Sequence, residues 1–174
     1  MKEIIYREVN NDDAYNWFRL NIDVWRDAYK DIFPEEAFNK REAELEDRVI
    51  KFRETVHNNN ERISYVAEYN GKIIGMMLGL INSQNKLFID GYADLSVLYV
   101  DKNYQNMKVG TNLKDIFVKW AKENHAKKFV IGVLKDNTKA RKVYESWGGK
   151  LSEYEGNFML YGVPYKEVFY TYNL

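Results

Sequence analysis

The sequence predicts an α/β (α+β) fold, with one mixed central sheet of about seven strands flanked by about four helices. Three observations predict it. Apolar residues recur with the 3.6-residue helical period over some stretches and gather in short β-rich runs over others. Asn70-Gly71 joins two of those runs, which is the strongest short signal for a hairpin and so for antiparallel strands. Further on, helix-length segments separate the apolar runs, and such crossovers join parallel strands. The expected order is β-α-α-β-β-β-α-β-α-β-β. At 174 residues the chain is most simply a single domain, 1–174.

The elements follow in turn. "EIIYREV" forms the first strand and "NNDD" ends it, with Asp12 or Asp13 suited to cap a helix. That helix, about 13–30, aligns Ala14, Trp17, Phe18, Trp25, Ala28 and Tyr29, with Asn21 inside the stripe. It stops at Ile32-Phe33 because Pro34 disfavours helical geometry just before it. A second helix is expected over about 35–57, apolar at Phe38, Leu45, Val49, Phe52 and Val56. "ISYVAEY" and "IIGMMLGLI" are the strands of the hairpin. "ADLSVLYV", 93–100, ends in a continuous apolar run, as a strand buried on both faces does. Residues 110–124 repeat Leu113, Ile116, Phe117, Trp120 and Ala121 at helical spacing. "KKFVIGVL" is a strand, and "DNTKARKVYESWGG" is a short helix with Asn137 near its N-cap and Gly148-Gly149 as its stop. The last 25 or so residues read as two long strands turning at Gly162–Pro164. Phe158–Tyr161 and Val168–Tyr172, both hydrophobic, are candidates for pairing across a homodimer.

Composition narrows the function classes. With 45% hydrophobic and 16% aromatic residues the chain is globular. No apolar run approaches the ~20 residues of a membrane span, and "MKEIIYREVN" is not a signal peptide, so a cytoplasmic protein without a membrane partner is expected. The absence of cysteine excludes disulfides, thiol nucleophiles and cysteine–zinc sites. A net charge of zero argues against nucleic acid as a partner. The charge is uneven, however. Residues 1–100 carry 13 Lys+Arg against 18 Asp+Glu, and residues 101–150 carry 12 against 5. An anionic ligand suits the second block and a cationic one the first.

The basic block opens with "YQNMKVGTNL", residues 104–113, between a buried strand and a helix. The first amides of a helix lack carbonyl partners and lie at the positive end of its dipole, so this junction is an anion site. Gly110 lets the backbone approach a phosphate, and Thr111 adds a hydroxyl. Neither GxxxxGK(S/T) nor GxGxxG is present, which argues against nucleoside triphosphates and dinucleotides.

"LYVDKNYQNMKVGTNL" resembles the cofactor motif of the GNAT superfamily of acetyl-CoA-dependent N-acetyltransferases. That family's loop follows Q/R-x-x-G-x-G/A after a strand ending in an aromatic–aliphatic pair. Gln105, Gly110 and Tyr99-Val100 match, while Lys108 stands at the first glycine. "NTKARKVYESWGGK" resembles the family's N-x-x-A-x-x-x-Y-x-x-x-G helix through Asn137, Ala140, Tyr144 and Gly148. The resemblance implies acetyl-CoA as co-substrate and no metal. It implies that Gln105, Lys108, Val109, Gly110 and Thr111 cradle the pyrophosphate, and that Leu98, Tyr99 and Val100 pair with the pantetheine. Lys102, Lys108, Lys139, Arg141 and Lys142 are candidates for the phosphate charges. Lys108 is expected at negative φ with its side chain outward, since only a positive φ or a ligand clash would demand glycine.

The resemblance also assigns chemistry. Tyr144 is the family's general acid at the CoA sulfur, or else plain core on the stripe of Ala140, Val143 and Trp147. Asn137 bonds the pantetheine or merely caps its helix. Asp94 is a base acting through water, or a surface strand residue. Glu68, Asp90, His57 and His125 are weaker candidates. "WRDAYKDIFP" resembles an acceptor-site segment, so Asn21, Trp25, Tyr29 and Phe33 are expected to bind an amine, with Asp27 or Asp31 nearby. Aromatic walls with carboxylates suit a cationic amine, a small amine or polyamine ahead of a protein amine. The leading reading is direct transfer of acetyl to an amine. A non-catalytic CoA-binding module and an acyltransferase for longer acyl groups are the alternatives.

Overall fold

The computed structural model describes residues 3–55, 58–89 and 91–174; Val56, His57 and Asp90 lie outside the described residues. Seven strands form one sheet: β1 (Ile5–Glu8), β2 (Arg62–Tyr69), β3 (Lys72–Leu80), β4 (Tyr92–Val100), β5 (Lys128–Leu134), β6 (Lys150–Leu160) and β7 (Val163–Asn173). Their spatial order is β1-β2-β3-β4-β5-β7-β6. Only the β4–β5 pair is parallel, and the other neighbours are antiparallel. The helices are α1 (Ala14–Tyr29), α2 (Glu35–Ala43), α3 (Leu45–Thr55), α4 (Val109–Glu123) and α5 (Thr138–Ser146). No helix among the described residues is long and apolar enough to cross a membrane.

The expected 35–57 helix is two helices, divided at Glu44 (φ −84, ψ 0). The two halves serve different cores. Ala37 and Phe38 join Trp25, Tyr29 and Phe33. Leu45, Val49 and Phe52 join Trp17, Leu20 and Val66. One straight helix cannot aim both sets at both clusters.

On the opposite sheet face, α4 buries Val109, Leu113, Phe117 and Ala121. Gly79 on β3 leaves no room for a Cβ against the Phe117 ring, so α4 lies tight on the sheet with its N-terminus fixed beside β4. The C-terminal hairpin turns at Tyr161-Gly162, both at positive φ (50 and 84), and Pro164 is already within β7, opposite Met159. β7 is paired on both sides, by β5 and β6. Val168–Tyr172 therefore pairs within the chain, and the expectation that it pairs across a dimer is corrected.

Candidate active site

β4 and β5 share only three residue pairs, Tyr92–Lys128, Ala93–Phe129 and Asp94–Val130. Past that point β4 follows β3 to Val100, and β5 follows β7 to Leu134. The strands part and leave a cleft of about 410 Å³. The Asp101 amide donates to the Ile74 carbonyl at 2.8 Å, so by alternation Tyr99 also faces β3. Leu98 and Val100 then turn their backbone groups into the cleft. At its mouth Gln105 Nε2 donates to the Val100 carbonyl (3.3 Å), and Lys139 Nζ donates to Gln105 Oε1 (2.5 Å).

The start of α4 forms one wall. Lys108 precedes it at φ 62, ψ 11, and Asn106 also has positive φ, 65. The expectation of negative φ at Lys108 is wrong. The loop keeps the left-handed backbone that glycine usually supplies, and a lysine there bears strain of about 1–2 kcal/mol. The Asn112 amide makes the first helical bond, to Lys108 O at 2.9 Å, which leaves the amides of Val109, Gly110 and Thr111 without intrahelical partners. A Cβ on Gly110 would rest 3.6 Å from Val100 Cγ2, an ordinary contact, so the fold itself does not require glycine there.

α5 forms the other wall. Asn137 Oδ1 accepts from the Ala140 amide at 3.1 Å, a true N-cap, and its side chain also faces the Tyr29 phenol. Tyr144 stands edge-on to Tyr170, ring centroids 6.0 Å apart, and Tyr172 Oη donates to the Tyr144 carbonyl at 2.8 Å. The same tyrosine lines the cleft and packs on the core, so the two readings of its helical stripe coexist. Burial, then the neighbouring Tyr99 and Tyr172, push its phenol up, and it keeps its proton at neutral pH.

The cleft gathers Leu98, Tyr99, Val100, Gln105, Lys108, Val109, Gly110, Thr111, Asn137, Ala140 and Tyr144. Of the candidates for phosphate charge, only Lys108 and Lys139 reach it. Lys102 pairs with Asp27 at 2.8 Å, and Arg141 donates to Tyr170 Oη and the Lys135 carbonyl. Of the acceptor set only Tyr29 lines it. Trp25 and Phe33 are buried with Phe38, Phe158 and Tyr165, while Asn21 is buried and accepts two bonds from Arg41. Glu68 is held by Arg7 (2.8 Å), and His125, at φ 67, lies just past the end of α4.

Asp94 is outside the cleft lining, at its vertex. Ser83 Oγ and Ser96 Oγ donate to its two oxygens at 2.8 and 3.0 Å, and burial raises it above the usual carboxylate range. Beside it is a residue that sequence reasoning missed. The Glu167 carboxylate lies 2.5 Å from where a Cβ on Gly132 would stand, and Gly132 lines the cleft. Burial, then the Asp94 charge, raise Glu167 as well. Its signal was the acid immediately before the apolar run "VFYTY"; Arg41, also missed, looked like an ordinary polar position of a helix.

The model of the acetyltransferase (GNAT) family matches residues 22–149. None of the curated proteins matches the chain. Among solved structures, the PaiA N-acetyltransferase of Thermoplasma acidophilum in complex with coenzyme A is 17% identical, with TM-score 0.72 over 95% of this chain and 98% of that one. The GCN5-related N-acetyltransferase from Rhodopseudomonas palustris is 19% identical, with TM-score 0.77 over 100% and 98%. The ribosomal-protein-alanine N-acetyltransferase from Brucella melitensis is 16% identical, with TM-score 0.65 over 98% and 99%. At these identities the likeness is one of fold.

Proposed function

Because the chain belongs to the acetyltransferase (GNAT) family, an acyltransferase family with acetyl-CoA as co-substrate, we propose that it transfers acetyl to a small primary amine by direct attack in a ternary complex. The observation that carries this reading is the parted β4–β5 pair, whose free backbone leads from the α4 amides to the Tyr144 phenol. Bound acetyl-CoA supplies the activated thioester carbonyl. The amides of Val109, Gly110 and Thr111 hold its pyrophosphate, with Lys108 and Lys139 adding charge. Leu98 and Val100 offer strand-like pairing to the pantetheine amides.

Tyr144 donates a hydrogen bond to the sulfur as the carbon–sulfur bond breaks, stabilising the departing thiolate, which then takes its proton from solvent. A phenol held above its ordinary pKa keeps its own proton and acts through that hydrogen bond. Glu167, with Asp94 behind it, takes the proton released by the attacking nitrogen, through a water. Burial raises both, which makes each a stronger base than an ordinary surface carboxylate. Tyr29 and Tyr99 form the acceptor side of the cleft. A polyamine has less support than a small amine, because Asp27 is committed to Lys102 and the Trp25–Phe33 wall faces the core.

Thermal unfolding with acetyl-CoA, and with NADH and ATP as controls, tests the first half. Ligand at about 100 times Kd adds about 2.7 kcal/mol, a shift of several degrees. Thiol release across a panel of amines tests the second. No shift at millimolar acetyl-CoA, or thiol release indifferent to amine, overturns the reading.

A further inference from the structure

α1, α2, β4 and the β6–β7 turn converge on Arg41, and the charge there is unbalanced. Its Nε and Nη2 donate to Asn21 Oδ1 at 3.0 and 2.7 Å, and its Cζ lies 3.6 Å from the Trp25 ring centroid. A neutral amide and an aromatic face fix the guanidinium without neutralising it. Arg7, Arg19, Arg26 and Arg48 each hold a carboxylate, whereas among the described residues Arg41 holds none. The local acid, Glu44, is already engaged, accepting from Arg48 Nη2 (2.7 Å) and Tyr161 Oη (3.0 Å). Lys40, over the Tyr161 ring at 4.6 Å, adds further positive charge. Burial first, and Arg48 second, bring Arg41 down to about 10, so it stays protonated at neutral pH.

Trp25 is only 5% exposed, and its Nε1 lies beside the Tyr99 phenol. Tyr99 lines the cleft and lies within electrostatic reach of both Arg41 and Glu167. The acceptor side is therefore dipolar. Carboxylates stand at the vertex, and the Arg41 cation, itself outside the cleft lining, lies within reach of Tyr99, which lines it.

A half-buried cation whose neighbouring acid, Glu44, is shared with Arg48 and Tyr161 is incompletely neutralised, and an anion reaching it is stabilising. The Nη1–Nη2 edge is the one Asn21 leaves open, and it matches a carboxylate in bidentate fashion. We propose that the acceptor is a primary amine carrying a carboxylate, of amino-acid type, with its carboxylate on Arg41 and its amine directed past Tyr99 to the thioester. This rests on the amine-acceptor reading above, and it replaces the cationic acceptor expected from the sequence with a zwitterion.

The test compares kcat/KM of the whole enzyme for amino acids against the amines made by removing their carboxyl group. Phosphoethanolamine is included as an anionic amine without carboxylate. A charged bidentate contact corresponds to about tenfold to a hundredfold preference for the carboxylated member, expressed mainly in KM. Arg41→Gln compresses that ratio toward unity, and Arg41→Lys keeps part of it. Calorimetry of the CoA-saturated protein with N-acetyl amino acids and the matching N-acetyl amines gives a readout independent of turnover. Equal kcat/KM within the pairs, or preference for phosphoethanolamine, overturns the carboxylate subsite and leaves amine transfer standing. Arg41-dependent binding of N-acetyl amino acids without acetylation of any amine sustains the subsite and overturns amine transfer. No preference in either assay overturns the proposal.

Discussion

Asp94 on β4 and Val130 on β5 are the last partners those strands share, so the vertex of the cleft carries a carboxylate. Ser83 and Ser96 fix that carboxylate, and Glu167 joins it from β7. The point where the sheet opens is thus also the point where two acids are crowded together.

Burial of both acids, with the Asp94 charge adding to it at Glu167, gives stability a pH dependence of definite sign. Both acids have folded pKa values raised above their unfolded ones, so in the window between them the native state binds more protons. Their contribution is most favourable below the unfolded values, near pH 4, and is lost as pH rises through the folded values. Glu167→Gln should raise the urea midpoint at pH 8 and change it little at pH 4, while lowering kcat. An equal shift at both pH values would falsify the assignment.

Tyr144→Phe removes the hydroxyl and keeps the ring against Tyr170 and Trp147. The expected outcome is a fall in kcat of about a hundredfold. The acetyl-CoA Kd from thermal-shift titration should stay within about threefold. A loss of binding as large as the loss of rate would mark Tyr144 as a packing residue.

Lys108→Gly releases the left-handed strain at φ 62. Glycine's greater chain entropy offsets part of the gain, leaving about 0.5–1 kcal/mol of net stabilisation by urea unfolding. Acetyl-CoA binding should weaken at low salt and become less salt-dependent, since a cleft charge is gone. Unchanged salt dependence would place the lysine outside the anion's reach.

Gly110→Ala tests how much room the loop leaves. Its Cβ meets only ordinary contacts, and alanine favours the helix, so the ligand-free protein should be as stable or up to about 1 kcal/mol more stable. Acetyl-CoA affinity should stay within about threefold, because this position of the loop pattern takes glycine or alanine. A loss of about tenfold or more would place a phosphate against the added methyl.

Much of this was legible in the sequence because local signals coincide with the functional ones. Asn70-Gly71, the apolar strand before Asp101 and the α4 stripe each report themselves, and the loop and α5 motifs sit next to them in the chain. Lys108 was misread because whether a position needs positive φ is a property of the turn as a whole, and the turn survived the loss of its glycine. The acceptor side was harder. Asn21, Trp25 and Phe33 were expected to bind an amine and lie outside the cleft lining, because which face of a helix meets a cavity and which meets a core depends on partners far along the chain. Glu167 and Arg41 matter through neighbours 73 and 20 residues away, Asp94 and Asn21, and no local pattern carries that.

The opened sheet makes β4 two different strands at once. Its Tyr99 amide belongs to a closed ladder with β3, while the Leu98 and Val100 amides face a space walled by α4 and α5. An unpaired edge normally invites another chain, but this one lies in the interior of the sheet, where only something as slender as an extended arm can enter. Amide exchange along β4 should therefore alternate residue by residue in the free protein, slow at Tyr99 and fast at Leu98 and Val100, and become uniformly slow once the cleft is filled.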